Sequence, residues 1–373
     1  MLAYVLASIH GTPIAENHMS HTTVRAPSAG VAGAPCRRRR SGWVIALPVL
    51  IIAASALSLA IGSRPMSADQ LADAIGPALE SLRTGSRGGS DGEIIANLRV
   101  PRTILALSVG AALGVAGAII QGHTRNPLAE PGILGISAGA AFAVVAGTLL
   151  AGSLSTPATA ALAFVGAAIA AFAVFGVTSF GGGLNPLTLI LAGAAITALL
   201  ASLTSALVLS DARALDRVRF WTVGSVAAGD LGVALTIAPI LAIGILAGFA
   251  TAPTLNLLAL GDDVSAGLGV NVPVARIAAM VIVAVLAGAS TAAAGPIGFV
   301  GLMVPHLVRS FTGPDHRWLL PASAAAGAAL LTFADVVGRV IIPSGELEVG
   351  VVLAFVGAPF FIAVVRRRKL VTA

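Results

Sequence analysis

The sequence predicts an all-α, polytopic membrane protein of about ten transmembrane helices with both termini in the cytoplasm. Of its 373 residues, 57% are hydrophobic and 10% charged, whereas a soluble domain has roughly 25% charged residues. A hydrocarbon core of ~30 Å needs about 20 apolar residues per helix, and such runs recur after the polar start. The chain has 43 glycines and 5% aromatic residues, a composition that lets helices approach closely in lipid.

The apolar runs predict spans at these positions: 43–62, 103–121, 132–151, 158–180, 187–209, 231–251, 276–294, 296–311, 319–338 and 349–365. Arginines at 37–40 and basic residues at 366–369 flank the first and last spans. Basic runs favour the cytoplasm, and an even number of spans places both ends there. Within the spans, Gly110 and Gly114, like Gly135 and Gly139, have the small-xxx-small spacing of close helix contacts.

The sequence divides into a tail and a transmembrane domain. Residues 1–41 are polar and aperiodic, so we expect a disordered basic cytoplasmic tail, with translation starting at Met1 or Met19. Residues 42–369 form the transmembrane domain. Between its first two spans, leucines and an isoleucine recur at helical spacing from Leu71 to Leu82 after Ser67, which predicts an amphipathic surface helix on the far side.

Composition also excludes several classes of site. Cys36 is the only cysteine, so an intramolecular disulfide and a Cys/His metal site are excluded by count. Lys369 is the only lysine, and a P-loop needs one within G-x-x-x-x-G-K-[ST]. We therefore expect no metal and no cofactor in this chain, with any ATP and Mg²⁺ bound by a partner. The net charge of +6 is concentrated in the termini and indicates a membrane-side bias, not a nucleic-acid surface.

Two stretches carry unusual backbone signals. Gly295 predicts a tight turn, Pro296 the start of a helix, and Pro305 a kink in it beside His306. This segment is either a kinked structural span or irregular backbone lining a transport pathway. The second stretch, 252–275, is predicted to hold two short cytoplasmic helices. Gly261 separates the two helices. Asp262 begins the second helix, where a carboxylate is stabilised by the positive end of the helix dipole.

Seven segments, in order, resemble the FecCD-like permeases, a family of bacterial ABC importers of iron–siderophores and vitamin B12. The segments are LRVPR (98–102), QGHTRNPLAEPGILGISAG (121–139), LILAGAAITAL (189–199), LALGDDVSAGLGV (258–270), GPIGFVGLMVPHLVR (295–309), DHRWLLP (315–321) and ADVVGRVIIPSGELEVGVVLAFVGAP (334–359). They span about residues 43–369, and the tail falls outside them.

The resemblance implies a transporter subunit of the cytoplasmic membrane, not an enzyme. It implies a second permease subunit, identical or homologous, two cytoplasmic ABC ATPase subunits and an extracytoplasmic binding protein, all within membrane lipid. Ferric siderophores are the expected cargo, with cobalamin or haem as alternatives in the same family.

The resemblance also implies roles for particular residues. Arg99 and Arg102 share a helix face, and with Arg339 they would receive acidic residues of the binding protein through bidentate pairs. The alternative is that they are ordinary end-of-helix arginines, and Asp335 forms a favourable i,i+4 pair with Arg339.

The 252–275 loop would couple to the ATPase, or be only an amphipathic loop. Its expected coupling residues are Leu260, Gly261, Asp262, Asp263, Ala266, Leu268 and Gly269. A cytoplasmic gate is expected at Asn185, Pro186 and Leu187, and His306 is expected to be structural.

Two other functional classes remain as alternatives. An ion-gradient-driven secondary transporter needs ionisable groups at mid-membrane, and we expect Glu130 and Asp335 to lie near span ends. A membrane-embedded enzyme needs a catalytic constellation, and the sequence shows none.

Overall fold

The computed structural model describes residues 42–62, 66–86, 90–152, 154–180, 186–210, 222–227, 231–342 and 345–369. This described part is helical and contains no strand. The predicted tail and the predicted gate residue Asn185 lie outside the described residues. The helices are α1 (Gly42–Ala60), α2 (Ala68–Thr84), α3 (Asp91–Thr124), α4 (Ile136–Ala151), α5 (Thr156–Phe180), α6 (Pro186–Ser210), α7 (Leu231–Ala250), α8 (Ala252–Leu258), α9 (Asp262–Gly267), α10 (Val272–Ala294), α11 (Val300–Thr312), α12 (His316–Val340) and α13 (Val349–Lys369).

Each predicted span coincides with a helix. Within the described residues, seven helices are long and apolar enough to cross a membrane: α1, α3, α5, α6, α7, α10 and α12. The other three, α4, α11 and α13, are shorter or less apolar by the same measure. The chain is therefore an all-helical, multi-pass membrane protein, whereas the count of ten spans and the side of each terminus stay predictions.

The predicted surface helix is α2. Its N-terminus has a capping box, in which Ser67 and Gln70 exchange hydrogen bonds of 2.9 and 3.2 Å. Ala74 and Ala78 are buried against the start of α3, while Leu79 is 64% exposed. The small residues thus face the bundle and the large apolar ones face outward, as in a helix lying at a membrane interface.

Glycines bring α3 and α12 into backbone contact. A Cβ built on Gly110 would lie 2.9 Å from the Leu331 Cβ and closer still to the carbonyl oxygen of Gly327. Gly114 meets the Ser323 carbonyl in the same way. The small-xxx-small prediction is confirmed here, and Gly139 makes a similar contact with α5 at Gly166.

The hairpin of α10 and α11 is broken, and the predicted helix start at Pro296 is wrong. Gly295 makes the predicted turn with φ 69°, but α11 begins only at Val300. Phe299, with φ 69°, holds the left-handed conformation that non-glycine residues rarely adopt. Its N–H donates to Glu130 Oε1 at 2.5 Å. Because this contact with a distant segment holds Phe299 outside helical geometry, α11 begins at Val300 instead of Pro296.

Pro305 lies inside α11, as predicted. A proline has no N–H, so the carbonyl of the residue four positions earlier loses its helical donor. Here that residue is Gly301, and its carbonyl accepts from Gln121 Nε2 of α3 at 3.2 Å. The side chain of α3 thus supplies the hydrogen bond that Pro305 cannot.

We predict that Gly110→Ala lowers the thermal unfolding midpoint by several degrees, because the added methyl group collides with α12. Gly76→Ala in α2 is the matched control, since nothing lies within 4 Å of its Cβ position and alanine is favoured over glycine in a helix by about 0.8–1 kcal/mol. The midpoints are measured by fluorescence of the protein in lipid nanodiscs. Equal midpoints for the two variants would contradict the close α3–α12 contact.

Candidate functional site

One end of the bundle holds an arginine cluster, formed by Arg99, Arg102, Arg339, Asp335 and Glu346. Two of its arginines cap the last turn of α1, whose carbonyls have no helical donors. Arg99 Nη1 donates to the Leu59 and Ala60 carbonyls at 2.6 and 2.8 Å. Arg339 Nη1 donates to the Ser58 and Ile61 carbonyls at 2.8 and 2.9 Å. Cations are favourable at this negative end of a helix dipole.

Asp335 is the centre of the cluster and is 1% exposed. Arg102 Nη2 and Nε donate to it at 2.8 and 3.0 Å. Arg339, one helical turn later, forms a close ion pair with the same carboxylate. Arg102 also reaches Glu346 Oε2 at 2.6 Å. The cluster therefore ties α1, α3, α12 and the segment before α13 together.

The structure brings the three predicted docking arginines together and confirms the Asp335–Arg339 pair. Arg99 and Arg339 are only 4% and 5% exposed, and both are committed to carbonyls of α1. Arg102 is more open, with 13% of its side chain exposed. Sequence reasoning missed Glu346 and the α1 carbonyls, because no local spacing signals contacts across the bundle. The docking role itself stays a prediction.

The opposite end holds the predicted knob, residues 260–269. Gly261 has φ 115° and separates α8 from α9, and Asp262 opens α9 as predicted. Asp262 lies between two arginines. Arg125 Nη2 at the end of α3 donates to it at 2.6 Å, and so does Arg276 Nη2 of α10. Arg125 also donates to the Leu258 carbonyl at 2.7 Å, so the corner of the knob is held to two helices.

A second attachment joins α8 to α12. Asn256 Nδ2 donates to Asp315 Oδ1 at 2.7 Å, and Asn256 Oδ1 accepts from the His316 backbone N–H at 2.9 Å. Burial raises the pKa of Asp315, but hydrogen bonds from the Arg317 backbone and the Asn256 amide outweigh it, and the pKa lies below its ordinary value. The knob is thus fixed to α3, α10 and α12 together.

The tip of the knob is apolar and exposed. Leu260, Val264 and Leu268 are 60%, 51% and 59% exposed, and Asp263, Ala266 and Gly269 are exposed beside them. Gly269 ends this segment with φ 87°. Val264 of α9 was not among the predicted residues, although it is exposed between the two leucines that flank this short helix. Exposed apolar patches are typical of surfaces that bind a partner, so the tip is a candidate interaction site.

The remaining predicted residues lie elsewhere. Pro186 and Leu187 begin α6. His306 of α11 packs edge-on against Phe360 of α13 with ring centroids 5.9 Å apart, which fits the predicted structural role. Among the described residues, no group of three or more His, Cys, Asp or Glu side chains could hold a metal ion.

Apolar spans, a broken helical hairpin and an exposed apolar knob fixed to the bundle define a polytopic membrane transport protein. The chain belongs to the FecCD transport family, which it matches over residues 50–367.

Curated relatives agree with this assignment. The chain is 44% identical to the ferric enterobactin transport system permease protein FepD of Escherichia coli, over 87% of this chain and 96% of that protein. It is 38% identical to the hemin transport system permease protein HmuU of Yersinia pestis, over 83% and 92%.

A solved structure of an inward-facing metal-chelate type ABC transporter is similar as well. It has a TM-score of 0.75 and 27% identity, covering 87% of this chain and 98% of that one.

We predict that Asp335→Asn destabilises the protein strongly, because it leaves two arginines side by side without their carboxylate. Breaking a buried ion pair typically costs about 3–5 kcal/mol. Thermal midpoints and the yield of folded protein are compared with those of Asp73→Asn, an exposed position of α2. An unchanged midpoint for Asp335→Asn would show that the cluster contributes little.

We predict that Asp262→Asn speeds amide hydrogen exchange across residues 258–268 several-fold, because both arginine contacts of the knob corner lose their ionic partner. Asp263→Asn, its exposed neighbour, serves as the control and should leave exchange close to that of the wild type. The measurement is hydrogen exchange with mass spectrometry. If the two variants behave alike, Asp262 does not hold the knob.

Proposed function

We propose that this chain is the permease subunit of an ABC importer that carries ferric siderophores across the cytoplasmic membrane. The relatives support the proposal, since they include permeases named for ferric enterobactin and Fe(3+) dicitrate transport. Permeases named for hemin and cobalamin are also similar to this chain, so haem and cobalamin are the alternative cargoes.

The observation that carries the proposal is the knob. It presents an apolar tip that suits a protein partner, while its base is fixed to α3, α10 and α12 by charged and polar contacts. An apolar surface that binds a partner and is rigidly attached to the bundle can transmit the partner's movement to the helices. We infer that one of the two cytoplasmic ATPase subunits docks here and the other docks on the second permease subunit, with ATP and Mg²⁺ held in those partners.

The transport step then follows from differential binding. ATP closes the ATPase subunits, and the knob moves with them. A nucleotide can shift the equilibrium between two conformations only by its difference in affinity for them. A second permease subunit completes the pathway, and Pro186 and Leu187 of the predicted gate begin α6.

The binding protein is proposed to dock at the arginine cluster. Its acidic residues would reach Arg102 first, because that arginine is the most open of the three and its other partner, Glu346, is 30% exposed. Arg99 and Arg339 would contribute by holding the end of α1 in place beneath the docking surface.

The proposed function is tested with the chain co-purified in lipid with its candidate ATPase and binding protein. We expect ATP hydrolysis that rises when the binding protein carries a ferric siderophore, with cobalamin and haem as competing cargoes. If no ATPase associates with the chain, the proposal fails.

We predict that Leu268→Asn lowers ATPase association and stimulation several-fold without changing the thermal midpoint, because it removes apolar surface only from the exposed tip. Leu79→Asn is the matched control, since Leu79 is 64% exposed on α2, far from the knob in the sequence. Association is measured as the ratio of ATPase to permease after purification. Equal ratios for both variants would contradict docking at the tip.

A further inference from the structure

Glu130 lies deep in the bundle, which corrects the expectation that it lies near a span end. After α3 ends at Thr124, the chain turns back into the bundle before α4. A Cβ on Gly301 of α11 would lie 2.7 Å from Pro131 Cδ and 3.2 Å from the Leu113 carbonyl oxygen. Leu113 precedes the end of α3 by eleven residues, about 16 Å along a helix. Glu130 is therefore an ionisable group at membrane depth.

The Glu130 carboxylate opens onto a cavity of about 200 Å³ where six parts of the chain meet. These are α3, the turn at Pro131–Leu134, α4, α10, the break between α10 and α11, and α11 itself. The lining is Leu113, Glu130, Pro131, Gly132, Ile136, Ser137, Ala287, Thr291, Pro296, Ile297, Gly298 and Gly301. Glu130 is the only ionisable residue among them.

Two hydroxyl groups in the lining have no hydrogen-bond partner among the described residues. Thr291 of α10 is 4% exposed, yet its hydroxyl makes no hydrogen bond within the described chain, and neither does that of Ser137. Both residues line the cavity, so their hydroxyl groups are available to water or an ion inside it. Glu130 has one donor, the N–H of Phe299, which leaves most of its acceptor capacity open.

The charge of the site limits what can occupy it. A carboxyl group among apolar residues either keeps its proton or is paired with a positive charge, and none of the residues lining the cavity is a lysine or an arginine that could supply that charge. One carboxylate balances one positive charge. The potential ligand atoms are all oxygens, which suits a hard cation. The cavity has room for that ion with a few water molecules.

We propose that the cavity binds one monovalent alkali cation, with Na⁺ as the probe, through Glu130, Ser137 and Thr291. Discontinuous helices provide ion sites of this kind in other membrane proteins. The ion joins the turn after Glu130 to α4 and α10, directly beside the break before α11. It therefore stabilises the arrangement in which Glu130 holds Phe299. This proposal does not depend on the cargo or on the ATPase.

The test is equilibrium binding of ²²Na⁺ to the full chain in lipid nanodiscs, with N-methyl-D-glucamine as the replacement cation. We expect saturable binding of about one ion per chain, weakened about ten-fold or more in Glu130→Gln, the effect expected when a group supporting a metal is lost. Thr291→Val, which removes only the hydroxyl, weakens binding several-fold. Glu80→Gln, exposed on α2, leaves binding unchanged.

Thermal midpoints measured in buffer without Na⁺ serve as the control for correct folding of the variants. The amide introduced by Glu130→Gln retains an oxygen that accepts from the Phe299 N–H, so the midpoint of this variant should stay near that of the wild type. The proposal is overturned if the wild type shows no saturable Na⁺ binding, or if Glu130→Gln and Thr291→Val bind Na⁺ as the wild type does. It is also overturned if infrared spectra show that Glu130 is protonated at neutral pH in saturating Na⁺.

Discussion

Backbone contact between α3 and α12 is the constraint on which the rest of the structure depends. In lipid, helices gain little from the hydrophobic effect, so close packing must hold them together. Gly110, Gly114 and Gly327 leave no room for a Cβ at this contact. The same helix α3 meets α11 at Gly117 and Gly301, so the broken hairpin is packed against the pair as well.

The arginine cluster and the knob are both attached to this pair of helices. At one end, Arg102 of α3 and Arg339 of α12 share Asp335, and Arg99 and Arg339 fix the end of α1. At the other, Arg125 follows α3 and contacts the knob, while Asn256 of α8 holds the start of α12. A densely packed pair of helices resists deformation, so under the proposed coupling role a displacement of the knob would reach the arginine cluster as a movement of the whole pair.

Local patterns predicted local features. The apolar runs gave the position of every helix assigned as a span, and the spacing of Asp335 and Arg339 gave their ion pair. The start of α11 was predicted wrongly because it depends on Glu130, 169 residues earlier in the chain. The donors of Arg339 reach carbonyls 278 and 281 residues away, and no spacing rule covers such contacts. Glu130 follows a turn sequence, and no local pattern there indicates that the chain turns back into the bundle.

The most direct test of this account is uptake of radiolabelled ferric siderophore by proteoliposomes that contain the chain, its ATPase and its binding protein. The account predicts uptake that requires ATP on the ATPase side and continues when all ion gradients are collapsed. Bound Na⁺ would then affect stability without supplying the driving force. Uptake that follows an imposed Na⁺ or proton gradient in the absence of ATP would contradict the account and identify a secondary transporter.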